Sequence, residues 1–178
     1  MANEIATLFP ELDLIEDAGL RSKVEAVWLD AIELGGWSIG DLAEIPFTLL
    51  IPDCPVNIVE HTRAVCRISF DTARVMADLF ADHLSLDTEV LVAGALLHDV
   101  GKLLEYERSG AGFGKSRHGE LLRHPFSGMG LATKHDLPPE VIHVIAVHAH
   151  EGDRSKRTPE AIIVHRVDFI VFESLKGG

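Results

Sequence analysis

Residues 95–102 of this 178-residue chain have the sequence Ala-Leu-Leu-His-Asp-Val-Gly-Lys. They end a run, Val90 to Leu97, that is apolar on every side and therefore predicts a buried helix. His98 and Asp99 follow where the chain should exclude water, and a buried carboxylate without a partner is costly. A metal ion beyond the helix end would compensate both groups. A hydrogen-bonded His–Asp pair without metal is the alternative.

Composition and charge restrict the class of protein. With 178 residues, of which 47% are hydrophobic, the chain can form the core of one domain. The formal net charge of −12 argues against a nucleic-acid duplex or an anionic membrane as a partner and favours a small substrate. Ten histidines against two cysteines indicate nitrogen and oxygen ligands rather than thiolates. No signal peptide or apolar run of membrane length is visible, so we expect a cytoplasmic protein.

Apolar residues at helical spacing predict an all-α fold, a single bundle of about six or seven helices without strands. Ser22 is predicted to begin one helix through a capping box, and Gly35-Gly36 to end it. Asn57 is the predicted N-cap of the next helix, and Gly101 is expected to let the backbone leave the buried one. The apolar stripe predicted after Asn57 comprises Ile58, His61, Val65, Ile68, Thr72, Val75 and Leu79.

Residues 1–56 are predicted to be an N-terminal helical extension and a packed loop. They are assigned to the same domain as the core at 57–178, because the prolines between positions 46 and 55 interrupt apolar residues. Residues 105–119 contain four glycines and several basic side chains, so a flexible basic loop is expected there. This loop is either a solvated connection or a phosphate-binding lid.

Residue types that bind metals recur on the apolar faces of the predicted helices. One buried histidine is usually a satisfied core residue, but several in a small domain are hard to bury independently, since each needs its own partner. Sharing one or two metal ions would satisfy them together. The candidates are His61, His98, Asp99, His148 and Asp168, with His124 at a helix start as a sixth.

This ordered pattern resembles the HD-domain superfamily of metal-dependent phosphohydrolases. The resemblance covers residues 57–172 and implies an HD-domain helical bundle. The local matches are His98-Asp99-Val100-Gly101-Lys102, His124-Pro125-Phe126-Ser127-Gly128 and the His148 segment before Glu151.

The resemblance also implies a role for each residue. One divalent ion would be held by the set His61, His98, Asp99 and Asp168. His124 and His148 would hold a second ion, with Asp99 bridging the two. A metal-activated water would attack the phosphate ester, with Asp99 and Lys102 as catalytic residues and Lys102 neutralising the phosphate. The ions, one or two, would be Mn, Fe, Co, Ni or Mg.

Other polar residues near these motifs are candidates for substrate contact. His150 lies about 200° from His148 on a helix, so both cannot face one core. We expect His150 to contact substrate, as we expect of Lys102, Lys115 and Arg117. The chain lacks the adjacent histidines and the Gly-Tyr-Pro segment of relatives that hydrolyse cyclic dinucleotides, which disfavours that substrate. The histidines predicted to be surface or structural residues are His83, His118, His135, His143 and His165.

The leading functional hypothesis is a phosphomonoesterase or phosphodiesterase that acts on a small phosphorylated metabolite or nucleotide. A di-iron oxygenase of the HD-fold type is an alternative, because it would use the same ligand set. A non-catalytic HD signalling module is a further alternative and ranks lowest, because such relatives usually lose ligands and all six positions are filled here. The sequence makes no prediction of oligomeric state.

Overall fold

The computed structural model of the chain describes residues 2–110 and 112–177. The all-helical fold class predicted from the sequence is confirmed, with six helices of nine or more residues and three shorter ones in the described part. The helices are α1 (Ala2–Leu8), α2 (Ala18–Gly35), α3 (Ile58–Phe80), α4 (Thr88–Leu97), α5 (Lys102–Glu105), α6 (Arg117–Leu121), α7 (His124–Lys134), α8 (Pro139–Val147) and α9 (Pro159–Lys176). Short 3₁₀ turns occupy Pro10–Leu14, Ile39–Ala43 and His150–Gly152.

Helix α4 lies at the centre of the bundle, as its apolar sequence predicts. Every residue from Val90 to Leu97 is buried, and α4 packs against α2, α3, α8 and α9. Its N-terminus is capped by Asp87, whose carboxylate accepts hydrogen bonds from two backbone N–H groups of the first turn. The indole of Trp28 in α2 donates to the carbonyl of Leu96 at 3.1 Å. The C-terminal end of α4 is therefore fixed in position by its neighbours.

The N-terminal segment contributes side chains to this same core. Phe9 and Trp28 stack with ring centroids 4.6 Å apart, and Leu42 and Phe47 are also fully buried. The carbonyl oxygen of Phe47 accepts a hydrogen bond from Lys102, so this segment reaches the end of the bundle where α4 ends. The division into residues 1–56 and 57–178 stays a prediction.

Helix α2 begins one turn earlier than predicted. The carboxylate of Asp17 accepts hydrogen bonds from the backbone N–H groups of Gly19 and Leu20, at 2.7 and 3.0 Å. Asp17 is therefore the N-cap, and Ser22 lies inside the helix, so the predicted capping box at Ser22 is wrong. The predicted end is confirmed, because Gly36 adopts a left-handed conformation with φ of 72°.

Helix α3 starts with the predicted cap but buries only half of its predicted stripe. Asn57 and Glu60 form a reciprocal capping box. In the second half, Val75 and Leu79 are 58% and 66% exposed. The reason is length: α3 has 23 residues and α4 has 10, so α3 extends past the helix that covers its first half.

The segment 105–119 contains a β-hairpin, so the prediction of a flexible loop without strands is wrong. Strands β1 (Tyr106–Ser109) and β2 (Gly112–Lys115) are antiparallel, with Tyr106 opposite Lys115. The guanidinium of Arg108 lies over the rings of Trp37 and Phe113 and contacts Asp41, which attaches the hairpin to the body. Strands of four residues are too short to show alternation in the sequence.

No helix in the described ranges combines the length and the apolar character that a membrane span requires.

Candidate metal centre

Five helices bring the six predicted ligands to one place. His61 lies in the second turn of α3, His98 and Asp99 directly follow α4, and His124 is the first residue of α7. His148 follows α8, and Asp168 lies in α9. The structure groups them into two sets that share Asp99, each with ligand atoms within 4.8 Å of one another. The first set is His61, His98, Asp99 and Asp168, and the second set is Asp99, His124 and His148.

Gly101 allows α7 to approach the start of α5. Its backbone is helical, with φ of −64° and ψ of −14°, so the expectation that it releases the chain from the helix is wrong. A Cβ atom at this position would lie 2.1 Å from the carbonyl oxygen of His124 and 2.7 Å from the backbone nitrogen of Gly128. Glycine is needed here for close packing, and that packing places His124 beside Asp99.

Three of the histidines present a lone pair to the centre. Nδ1 of His98 lies 2.6 Å from the carbonyl of Ala95, and Nδ1 of His148 lies 2.8 Å from the carbonyl of Ile145. Nδ1 of His124 lies 2.8 Å from the carboxylate of Glu105. These partners accept hydrogen bonds and cannot donate them, so each Nδ1 carries the proton in the neutral ring. Each Nε2 is then an acceptor.

These imidazole nitrogens lie close to one another and to the carboxylate oxygens of Asp99. Nε2 of His124 and Nε2 of His148 are 3.2 Å apart, and both face Oδ1 of Asp99, at 3.3 and 3.7 Å. Nε2 of His61 and Nε2 of His98 are 3.3 Å apart and face Oδ2 of Asp99, at 3.3 and 3.4 Å. Converging lone pairs and carboxylates repel one another unless a cation lies between them. The donor set therefore fits divalent ions, and one Asp99 oxygen faces the histidines of each set.

His61 completes the first set with a different environment. Its Nε2 lies 3.0 Å from Oδ1 of Asp168, while its buried Nδ1 has no hydrogen-bond partner among the described residues. The ring of Phe47 stacks on the imidazole, with centroids 4.2 Å apart and an angle of 17°. Burial lowers the pKa of His61, but hydrogen bonds to Asp168 and Asp99 outweigh it and raise that pKa. Phe47 thus fixes the ring plane where no hydrogen bond to Nδ1 does so.

The ionisation states of the predicted ligands favour the binding of a cation. Burial raises the pKa of Asp99, but the charge of Lys102 holds it well below its usual range. Burial also raises the pKa of Asp168, but its hydrogen bond to His61 and nearby positive charges lower that pKa to about 2. Burial lowers the pKa of His124 to about 4. At neutral pH both carboxylates are therefore ionised and the His124 ring is neutral, as metal ligands must be.

Lys102 is buried beside the centre. Its Nζ donates to Oδ2 of Asp99 at 2.6 Å and to the carbonyl oxygen of Phe47 at 2.6 Å. Burial lowers the pKa of Lys102, but the charge of Asp99 reverses this effect, so the amine stays protonated. Lys102 therefore balances part of the negative charge and holds the Asp99 carboxylate in place.

A pocket of about 150 Å³ opens onto the centre. Asp99, His124 and Asp168 contribute to its wall, so each ligand set has two residues accessible from it. The pocket wall includes the basic side chains Lys102, Lys115 and Arg123 and apolar side chains such as Phe47, Leu50 and Phe169. The pocket thus offers both basic groups and apolar surface to a ligand.

Three of the four residues predicted to contact substrate line the pocket, and the fourth does not. Lys102, Lys115 and His150 line the pocket, and the His150 side chain is 78% exposed at its edge. Arg117 is not among the lining residues; its guanidinium is exposed and pairs with Glu120 at 2.7 Å. The assigned roles stay predictions, but the position of Arg117 gives it no contact with the pocket.

Sequence reasoning missed three residues beside the centre: Glu105, Arg123 and Phe47. The Glu105 carboxylate is buried and contacts both His124 and Arg123. An acidic residue one turn after Lys102, directly behind two leucines, was the available signal for Glu105. No local pattern marks Phe47 or Arg123, which reach the centre only through the fold.

Most of the remaining histidines make hydrogen bonds away from the two ligand sets. His118 bonds to the hydroxyl of Ser127 at 2.7 Å, and His135 bonds to Asp30 at 3.0 Å. His165 is buried and its Nδ1 lies 2.5 Å from the carbonyl oxygen of His148. It therefore supports a ligand segment.

Comparisons with known proteins agree with this geometry. A family model described as HD domain matches residues 58–170. The chain is 34% identical to ribonuclease Y of Desulforamulus reducens over 114 residues, which are 64% of this chain and 18% of that protein. It is 33% identical to the dihydroneopterin 2',3'-cyclic phosphate phosphodiesterase of Methanocaldococcus jannaschii over 115 residues, 63% of this chain and 45% of that protein. The chain thus spans less than half the length of these relatives. No solved structure gives a significant match.

Proposed function

The chain belongs to the HD-domain family, and on that premise we propose that it is a metal-dependent phosphohydrolase. The proposed substrate is a phosphodiester of a small metabolite or nucleotide. Two relatives support this bond type by their names, one a ribonuclease and the other a cyclic-phosphate phosphodiesterase. The size of the pocket and the acidic charge of the chain favour a small substrate over a duplex.

The observation that carries the proposal is a set of converging acceptors beside a pocket that is lined in part by basic side chains. The Nε2 atoms of His124 and His148 converge on the Asp99 carboxylate, and both Asp99 and His124 line the pocket. Divalent ions held there would supply charge neutralisation at the phosphoryl oxygens and a water of lowered pKa. A purely structural histidine cluster would have no need of an adjacent opening.

The residues of the chain have separate tasks in this proposal. Asp99 contributes one oxygen to each ligand set, and Lys102 fixes its orientation. Lys115 and Arg123, which line the pocket, attract and orient the phosphate. Phe47 and Phe169 provide the apolar surface against which the organic part of the ester packs.

The test is a metal and substrate screen on full-length protein purified without chelator. Elemental analysis gives the metals per chain, and manganese-loaded protein is then assayed with bis(p-nitrophenyl) phosphate, p-nitrophenyl phosphate, a 2',3'-cyclic nucleotide and a short RNA. We expect cleavage of the diesters, with the small ones preferred to RNA. Asp99→Ala is expected to abolish turnover and bind neither ion while keeping its helices by circular dichroism. Asp71→Ala, an exposed carboxylate on α3, is the matched control.

The other outcomes separate the alternatives. Two iron atoms per chain with oxygen consumption, and no phosphate ester cleaved, would replace the proposal with a di-iron oxygenase. Full metal loading without turnover of either kind would favour a non-catalytic module. Retained hydrolysis in Asp99→Ala would refute the assignment of the site.

A further inference from the structure

Glu105 is a buried carboxylate outside both ligand sets. It is 1% exposed and ends α5, one turn after Lys102. Its Oε2 accepts two hydrogen bonds from one residue, from the backbone N–H of His124 at 2.8 Å and from Nδ1 of the same residue at 2.8 Å. Both the main chain and the ring of His124 are therefore fixed by one oxygen atom.

The other oxygen of Glu105 is held from the pocket side. Oε1 accepts from Nη1 of Arg123 at 2.5 Å, and Nζ of Lys115 lies 3.8 Å away. Burial raises the pKa of Glu105, but the hydrogen bonds from His124 and the charge of Arg123 lower it. With both oxygens occupied, the carboxylate has little freedom to rotate away from His124.

His124 differs from the other two histidines whose Nδ1 is hydrogen-bonded. His98 and His148 each bond to the carbonyl three residues earlier in their own helix, Ala95 and Ile145. His124 is the first residue of α7, so no helical turn precedes it that could supply such a carbonyl. Its orientation depends instead on a side chain 19 residues away in sequence.

From this difference we propose that Glu105 is a positioning residue that builds the second metal site by holding His124 with Nε2 directed at Asp99. The inference rests on the proposed metal-dependent function. Its consequence is local, because no hydrogen bond or ion pair in the described part of the chain joins Glu105 to the first set, His61, His98, Asp99 and Asp168. Loss of the carboxylate should therefore weaken the binding of the second ion and leave the binding of the first unchanged.

The variant Glu105→Gln tests the role with minimal change of shape. A carboxylate accepts through both oxygens, whereas an amide has one acceptor oxygen and cannot satisfy His124 and Arg123 together. Outer partners of metal-binding histidines typically change metal affinity by about 10–100-fold. We expect the second manganese ion to bind about 10–100-fold more weakly in Glu105→Gln, with the first unchanged.

The matched control is Glu151→Gln. Glu151 shares the Arg123 partner, with Oε1 at 3.0 Å from Nε, but has no hydrogen bond to His124 among the described contacts. The substitution makes the same change of charge at the same arginine. Glu151→Gln is expected to bind both ions with wild-type affinity, so a loss specific to Glu105→Gln cannot be a general effect of freeing Arg123.

The readouts are manganese titration of chelator-treated full-length protein by calorimetry and electron paramagnetic resonance, and histidine ¹⁵N NMR. Wild type and Glu151→Gln should show a spin-coupled pair of ions, and Glu105→Gln the spectrum of an isolated ion at the same manganese concentration. In wild type, Nδ1 of His124 should carry a proton hydrogen-bonded to a carboxylate. If Glu105→Gln fails to fold, the wild-type NMR spectrum decides by itself.

Two results would overturn the inference: a coupled pair at wild-type affinity in Glu105→Gln, or a wild-type His124 whose Nδ1 carries no proton. Both leave the proposed function intact. Failure of the wild-type protein to bind any metal would overturn the proposed function instead, so the two failures are distinguishable.

Discussion

Nζ of Lys102 lies 2.6 Å from Oδ2 of Asp99, and both side chains are more than 90% buried. The same carboxylate faces four imidazoles. Lys102 is thus the permanent cation of a centre that otherwise consists of acceptors. Without bound metal, its charge is the main compensation for Asp99.

Replacing this cation should make folding depend on metal. Lys102→Met keeps the apolar stem but leaves Asp99 as an unpaired buried charge, a change that typically costs about 3–5 kcal/mol. We expect a strong loss of thermal stability in chelated protein and a larger stabilisation by manganese than in wild type, because the ions replace the missing charge. Melting temperatures with and without manganese measure both effects. An equal rise in the two proteins would contradict this role.

Chelation should destabilise the wild-type protein, since removing the ions leaves the converging acceptors uncompensated. A ligand at a hundred times its dissociation constant contributes about 2.7 kcal/mol, which for a chain of this length corresponds to about 5–10 °C in melting temperature. Differential scanning calorimetry before and after chelator treatment checks this, with recovery on adding manganese as the control. If the melting temperature changes neither on chelation nor on adding manganese, the polar groups of the centre need no metal for stability.

Gly101→Ala should disturb the second ligand set. The added Cβ would lie 2.1 Å from the carbonyl oxygen of His124, so α7 must move away from the start of α5. We expect a loss of about 1–3 kcal/mol of stability from overpacking and weaker binding of the second ion. Gly130→Ala in the same helix is the matched control, because its Cβ meets nothing within 4 Å, and alanine should stabilise α7 by about 0.5–1 kcal/mol. Denaturant unfolding and manganese titration compare the two.

Lys115 and Arg117 should differ in their effect on substrate. Lys115 lines the pocket, whereas Arg117 pairs with Glu120 on the surface. Lys115→Ala should raise KM about tenfold, the loss of one charge-assisted hydrogen bond, with a smaller effect on kcat. Arg117→Ala should leave both constants near wild type. A comparable rise in KM for Arg117→Ala would restore the prediction made from sequence.

The sequence predicted much of the candidate site because its residues break a pattern. A histidine within the apolar stripe of α3 and a His-Asp pair ending an entirely apolar helix are conspicuous where hydrophobic side chains are expected. Their order along the chain then supplied the family resemblance. The end of α2, the cap of α3 and the burial of α4 were predicted for the same reason, since caps and periodicity are local.

The features that sequence analysis missed or predicted wrongly depend on contacts between segments that are far apart in the chain, or on strands too short to give a pattern. The hairpin was missed because four-residue strands leave no periodic signal, and the outer half of α3 was assigned to the core because periodicity does not report helix length relative to neighbours. The role of Gly101 was inferred from backbone freedom, whereas the structure shows a contact with another helix.

Residue types and their local spacing were sufficient to predict the helical class, the buried central helix and the six candidate ligands. The grouping of these ligands into two sets that share Asp99, and the hydrogen bonds from His124 to Glu105, became visible only in the folded protein. The physical reason is that hydrogen bonds and ligand convergence depend on distances of about 3 Å between residues far apart in the chain, and those distances are set by how the helices pack.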